Sequence, residues 1–347
     1  MSISKLSPVL ATSYENFPKG RFITLVVLRT THSETIFRTE GSGEPMCSEF
    51  VQAGLEGENQ KTIIQRLVMT KRKQVAPERR YGREHLRAHE LLYTNPKDGS
   101  LCALNTNAPC EMCVDCFLYG FAAGGGGAQK SRIWTEDAFS ILPASDVVGD
   151  RTINAIYETG TMRLKKDEDT KISTALNTSE YIKPGVHFLD VVTLKDVTAD
   201  ELRYIIGNIL FTSRYGAVSS RVGRMENEIL GVFGSITELP SSLELVQATY
   251  DVLGKPLEHP LNINQLITAS KQVIANWKNK RGVSVQLSEE ELANLVTDVE
   301  TNWSEAERDN FLKRLTQSYE SFRQVAPEKN KGKGKGKIKN TPVEVEI

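Results

Sequence analysis

The sequence predicts an α+β fold with large insertions, and three observations support this. Residues 21–29 and 186–194 are short apolar runs rich in β-branched side chains, which is typical of buried strands. Thr198 and Glu201 form a capping-box pattern ahead of a segment with apolar side chains at helical spacing. The elements alternate as strand, insertion, strand, insertion, strand, helix, loop and strand. This order favours an α+β sandwich over a doubly wound sheet.

Weaker patterns predict the remaining elements. Residues 35–39 are expected to pair with the first strand as a hairpin. The C-terminal third is expected to be helical, because residues 262–280 and the segments after the capping-box serines Ser288 and Ser304 place apolar side chains on one face. Further strands are predicted for residues 62–69 (or a short helix there), 130–141 and 228–236.

Length and composition restrict the class of protein. The chain has 347 residues, more than one hydrophobic core usually serves, with 39% hydrophobic and 25% charged residues. These values exclude a wholly disordered chain and a fibre. No apolar run approaches the length of a membrane span, and residues 1–19 do not have the pattern of a secretory signal, so we expect a cytoplasmic protein with no membrane partner.

The charge is balanced overall but unevenly distributed. Lys and Arg number 43 against 44 Asp and Glu, which excludes a uniformly basic nucleic-acid coat. Residues 71–87 carry seven Lys or Arg against two Glu, whereas residues 288–309 carry eight acids against one Arg. Residues 329–339 hold six lysines alternating mainly with glycine, a composition expected to be disordered. The asymmetry indicates an anionic partner on one side of the protein.

Four of the five cysteines lie within fifteen residues, and three of them follow a C-x2-C-x2-C spacing. This spacing lets several sulfurs approach one ion, and zinc prefers four such ligands in a tetrahedron. The pattern therefore predicts a closed, structural zinc site, with an iron–sulfur cluster and free thiols as alternatives. His85 or His89 could replace the first cysteine as the fourth ligand. The predicted ligands are Cys102, Cys110, Cys113 and Cys116.

Two segments carry side chains that are typical of phosphate contacts. Residues 124–127 are four glycines, followed closely by Lys130, Ser131 and Arg132. Gln129 stands where a nucleotide-binding phosphate loop needs glycine, so an NTPase is disfavoured and a flexible linker is the alternative. Residues 214–224 contain no acid and are expected to form a polar loop that tracks a nucleic-acid backbone, or simply a solvated loop. Its candidate contacts are Arg214, Tyr215 (as a stacking ring), Ser219, Ser220, Arg221 and Arg224.

Together these motifs resemble a known family. Residues 118–120 (Leu-Tyr-Gly) and 131–138 (Ser-Arg-Ile-Trp-Thr-Glu-Asp-Ala) resemble a signature of the RNA-binding backbone subunits of CRISPR effector complexes. Residues 184–188 and the loop at 214–224 resemble their C-terminal half. The cysteine cluster and the glycine run look like the type I-D backbone subunit, the Csc-two branch of the Cas-seven group. The resemblance covers roughly residues 20 to 240.

The resemblance implies an RRM-like (ferredoxin-like) core that carries zinc-binding, thumb and helical insertions or extensions. Lys71, Arg72 and Lys73 are expected to contact RNA in the basic insertion, and Arg163, Lys165 and Lys166 in the thumb. On this basis the core takes residues 1–70, 117–150 and 186–260, the basic zinc-binding insertion 71–116, the thumb 151–185, the helical region 261–328 and the disordered basic tail 329–347.

The resemblance also implies a function. Copies of such a subunit bind a guide RNA (crRNA), assemble head to tail along it with other type I-D effector subunits, and support recognition of a DNA or RNA target. Some related subunits cut the guide-paired strand with an early aspartate, but no aspartate precedes Asp98 here. A ruler nuclease using an early glutamate is therefore the alternative, with Glu34, Glu40, Glu44 and Glu49 available. A zinc-binding adaptor without an RNA role is a third. We expect a non-catalytic subunit.

Overall fold

An antiparallel sheet of nine strands organises the part of the chain that the computed structural model describes, which is residues 2–15, 17–37, 46–95, 99–106, 109–123, 127–154, 163–166, 169–172, 176–218 and 221–325. The strands are β1 (Phe22–Thr31), β2 (Ser48–Gln52), β3 (Ile63–Met69), β4 (Phe121–Ala123), β5 (Gly127–Gln129), β6 (Ile133–Thr135), β7 (Ala138–Pro143), β8 (Val148–Asn154), β9 (Arg163–Lys166), β10 (Asp169–Ile172), β11 (Leu176–Ile182), β12 (His187–Lys195), β13 (Arg214–Val218), β14 (Arg221–Ser235) and β15 (Val283–Gln286).

Helices lie between the strands in the sequence and pack on both faces of the sheet. A 3₁₀ turn at Asn276–Asn279 separates α8 from β15. The helices are α1 (Ser2–Lys5), α2 (Gly57–Lys61), α3 (Lys71–Ala88), α4 (Val114–Tyr119), α5 (Ala144–Val147), α6 (Ala199–Phe211), α7 (Ser242–Leu253), α8 (Ile263–Ala275), α9 (Glu289–Trp303), α10 (Arg308–Gln317) and α11 (Glu320–Val325). No helix among the described residues is long and apolar enough to cross a lipid bilayer.

The sheet runs in the order β13-β14-β1-β12-β7-β3-β2, with β6 beside β12 and β15 beside β14. All ten residues of β1 are buried, because the strand lies in the middle of the sheet and both faces are covered. Alternate residues of a strand point to opposite faces. Leu25 therefore belongs to the core that holds Ile205 of α6 on one side, whereas Val26 belongs to the core that holds Leu245 of α7 on the other.

Several sequence predictions are confirmed, including the α+β class. Residues 21–29 and 186–194 lie in or overlap β1 and β12, residues 62–69 correspond to β3, and the capping box of Thr198 and Glu201 starts α6. Ser288 also caps its helix as predicted. These features are local, which is why the sequence alone was sufficient.

Other predictions are wrong. The described part of the segment 35–39, which is residues 35–37, is not the hairpin partner of β1: Thr35 makes an isolated bridge to Ile182, and β1 pairs with β12 and β14. Ser304 does not cap a helix, because α10 begins later, at Arg308. Residues 130–141 contribute to two strands, β6 and β7, and not to one. The two acids between these strands accept hydrogen bonds from the first residues of helices: Glu136 from the Ser242 amide of α7, and Asp137 from the Lys71 amide of α3. The basic tail, residues 329–347, lies outside the described residues.

The largest correction concerns residues 214–224. The polar loop predicted there is a hairpin, in which β13 pairs antiparallel with the start of β14. Gly216 adopts a φ of 64° at the register shift within this pairing, and a Cβ there would lie 2.2 Å from the Ile36 carbonyl oxygen. The hairpin forms although its composition is typical of loops, because β14 continues beyond it into the sheet, where it pairs with β1.

Candidate nucleic-acid interface and metal centre

A groove of about 620 Å³ lies between α3, the end of α6 and the β13–β14 hairpin. Arg72, Lys73 and Arg80 line it from α3, and Arg214 lines it from β13. Glu84 is the one acid among the lining residues. The groove is therefore strongly cationic although the whole chain is nearly neutral.

The position of these cations on α3 is itself informative. Arg72 and Lys73 lie in the first turn of the helix, which holds no acid. The N-terminus is the positive end of the helix dipole. Cations in the first turn are repelled by it and therefore destabilise the isolated helix. Burial, together with the neighbouring charges of Arg72 and Arg80, lowers the pKa of Lys73 below its usual value. An anion in the groove would relieve this repulsion.

Aromatic side chains complete the groove. Tyr81 and Phe211 both line it, with their ring centroids 6.5 Å apart. Both side chains are half-buried, so part of each ring remains accessible. Rings beside cations are the usual arrangement for a single nucleic-acid strand, because bases stack on the rings while phosphates bind the cations.

The structure brings together only some of the predicted RNA contacts. Arg72, Lys73 and Arg214 line the groove, whereas Lys71, Lys130 and Arg224 are exposed without lining it. Arg80 was missed as a site residue, although its spacing of seven from Lys73 places both on one face of a helix. The side chains of Arg163, Lys165, Lys166 and Arg221, and the whole of Ser219 and Ser220, lie outside the described residues.

Two of the predicted contacts have side chains that are engaged inside the protein in this structure. Tyr215 is 0% exposed, so its ring is not available to stack on a base. Arg132 forms a two-pronged ion pair with the buried Glu201 and also donates to the Phe117 and Asp196 carbonyl oxygens. Ser131, its neighbour, donates to the Ile133 carbonyl oxygen at 2.7 Å.

The four predicted metal ligands meet in one buried cluster. The Sγ atom of Cys102 lies 3.9 Å from that of Cys113 and 3.8 Å from that of Cys116, and Cys110 lies 3.9 Å from Cys116. A tetrahedral site with metal–sulfur bonds of about 2.3 Å has sulfur–sulfur edges of about 3.8 Å. A disulfide would instead need about 2.05 Å. The cluster therefore has the dimensions of a four-thiolate metal site.

Backbone amides support the thiolate form of these side chains. The Cys113 amide lies 3.3 Å from the Cys110 sulfur, and the Cys110 amide lies 3.4 Å from the Cys102 sulfur. Such an arrangement favours a cation bound between the sulfurs.

Neither histidine joins the cluster in the described part of the chain. The Nδ1 atom of His89 lies 3.0 Å from Asp309, and the His85 ring packs edge-on against Trp303. Of the fourth ligands left open by the sequence, the structure therefore places Cys102 with the other three. Arg83 contacts the Cys102 sulfur at 3.6 Å and pairs with Asp115, which ties α3 to the cluster.

The same fold occurs in a solved CRISPR protein. The crystal structure of Csc2 from Thermofilum pendens matches with a TM-score of 0.58 at 17% identity, over 93% of this chain and 98% of that one. A chain of a CRISPR RNA-guided surveillance complex matches with a TM-score of 0.45 at 9% identity, over 80% of this chain and 99% of that one. Among curated proteins, no sequence matches.

The sequence itself defines the family. Residues 9–312 match the family described as Csc2 Crispr, a span that includes both the groove and the cysteine cluster. The chain belongs to the Csc2 CRISPR family.

Proposed function

We propose that this chain is a guide-RNA-binding backbone subunit of a type I-D CRISPR effector complex. The groove between α3 and β13 is the observation that carries the proposal, because cations from two distant parts of the chain converge there beside two aromatic rings. Cations hold phosphates without regard to base sequence, and rings accept any base. Both properties suit a subunit that must bind guides of different sequence. Membership of the Csc2 family supports this assignment.

The strand order supports an RRM-like core. Along the chain, β1, α3, β7, β12, α6 and β14 follow one another as in a β-α-β-β-α-β unit, and their strands are neighbours in the order β14-β1-β12-β7. In an RRM the bases stack on one face of the sheet. Here hydrophobic clusters cover both faces, so the RNA lies in the groove beside the sheet.

In the proposed assembly, copies bind along one guide RNA head to tail, together with other effector subunits, and present the guide to a DNA or RNA target. The four-cysteine cluster holds a structural zinc ion that fixes the segment after α3. A site with four protein ligands leaves no open position, so this zinc stabilises the fold and does not activate water.

The proposed subunit is not a nuclease. Of the four glutamates considered for metal-assisted cleavage, Glu34 pairs with Arg151, and Glu49 is exposed on β2. Glu40 and Glu44 lie outside the described residues. Binding and positioning of RNA therefore account for the groove without a catalytic step.

RNA binding by the purified protein at several salt concentrations tests the proposal. Each lost phosphate contact on a single strand reduces the slope of log K against log salt by about 0.7. Arg80→Glu combined with Arg214→Glu should therefore weaken binding and reduce the slope by about 1.4 or more. Arg281→Glu reverses the charge of an exposed side chain that does not line the groove and serves as the control. Equal affinity of the double variant and the control would disprove the site.

A further inference from the structure

A buried hydroxyl joins the two walls of the groove. The Tyr215 hydroxyl donates to Glu78 Oε1 at 3.0 Å and accepts from the Asn227 side-chain amide at 2.8 Å. These three side chains are 0%, 3% and 6% exposed, respectively. Glu78 lies on α3 and Tyr215 on β13, so this contact connects the helix with the hairpin.

Buried charges hold the acceptor in place. The Arg29 Nη1 atom donates to Glu78 Oε1 at 2.6 Å, and Arg29 Nε donates to Asp190 at 2.9 Å. One guanidinium thus faces two buried carboxylates, and burial raises the pKa of both Glu78 and Asp190. Removing one partner of such a network leaves another buried polar group unpaired, which is costly. The network therefore has one favourable arrangement.

The network reaches the groove through neighbouring residues. Arg214 and Gly216, on either side of Tyr215, both line the groove. Successive side chains of a strand point in opposite directions, which puts the Tyr215 ring inside and Arg214 outside. The Asn227 side-chain amide also donates to the Thr212 carbonyl oxygen at 3.1 Å, and Thr212 lines the groove as well.

We infer that Tyr215 and Glu78 are positioning residues for RNA binding: their hydrogen bond fixes the hairpin against α3 and so sets the distance between Arg214 and the cations of the helix. The inference rests on the proposed function of the groove. It replaces the stacking role expected for Tyr215 with an indirect one, because the buried ring cannot stack on a base.

Tyr215→Phe tests the inference, since it removes the hydroxyl and no charge. If the hairpin separates from α3, Arg214 no longer reaches the phosphate. The salt slope should then fall by about 0.7, as it should in Arg214→Gln. The variant with both changes should bind no more weakly than Arg214→Gln alone, because the two act through one contact. Hydrogen exchange of the backbone amides of 214–218 should also be faster in Tyr215→Phe without RNA.

Tyr250→Phe is the matched control. Tyr250 is a buried tyrosine of α7 whose ring packs on Arg66, and it does not line the groove. It should leave the salt slope and the exchange of residues 214–218 unchanged. A Tyr215→Phe protein with wild-type slope and exchange would overturn this inference alone. Wild-type protein that binds RNA without salt dependence would overturn the proposed function, and this inference with it.

Discussion

The Sγ atoms of Cys102 and Cys116 lie 3.8 Å apart although 14 positions separate them in the chain. The distance equals the edge of a tetrahedral zinc–thiolate site, so metal content is the most direct test of this cluster. We expect about one zinc ion per purified chain. Cys113→Ser should lose the metal and lower the melting temperature by about 5 °C or more, because metal binding and folding are coupled. Metal analysis and thermal unfolding measure both effects.

Cys47→Ser is the control for this experiment, because Cys47 is exposed and does not belong to the cluster. It should retain the metal and the melting temperature. Iron in anaerobic preparations, or a full zinc content in Cys113→Ser, would contradict the assignment.

Breaking the ion pair between Arg132 and Glu201 should reduce the stability of the protein without reducing its affinity for RNA. Both side chains are buried, with 11% and 1% of their surfaces exposed. Arg132→Gln leaves the Glu201 charge without its partner, which should reduce the free energy of unfolding by about 3 kcal/mol. Urea unfolding measures this change. RNA affinity, measured on the folded variant at low temperature, should equal that of the wild type. Weaker RNA binding at unchanged stability would show instead that Arg132 contacts phosphate.

Lys73 predicts a pH dependence of RNA binding. Burial and the charges of Arg72 and Arg80 lower its pKa, so the side chain loses its charge at a lower pH than an ordinary lysine. RNA binding should therefore weaken as the pH rises, and it should do so at a lower pH than the titration of an ordinary lysine would cause. Lys73→Arg keeps its charge throughout and should remove most of this dependence. Identical pH profiles of wild type and variant, determined by fluorescence anisotropy, would refute the assignment.

Glu34 predicts a negative result for cleavage. Its carboxylate pairs with Arg151 at the surface. Incubation of the assembled protein, guide and complementary strand with magnesium should give no regularly spaced fragments, and Glu34→Ala should behave like the wild type. Fragments at regular intervals that disappear in Glu34→Ala would establish the nuclease alternative.

The sequence by itself determined the features that depend on short spacing. C-x2-C-x2-C places three sulfurs within reach of one ion through the geometry of the turn between them. The capping box at Thr198 starts α6 because its two hydrogen bonds join residues only three positions apart. The basic composition of α3 likewise indicated an anionic partner before any fold was known.

Only the tertiary structure decided which cations share a groove. Arg214 lies more than 130 positions from Arg80, and no local pattern relates them. Tyr215 and Arg132 looked like ligand contacts in sequence, but both are buried against partners from distant segments, Glu78 and Glu201. Local geometry follows from the covalent chain. The direction of a polar side chain depends on which distant element packs beside it. A buried charge or hydroxyl needs a hydrogen-bonding or oppositely charged group on that element, because leaving it unpaired is costly.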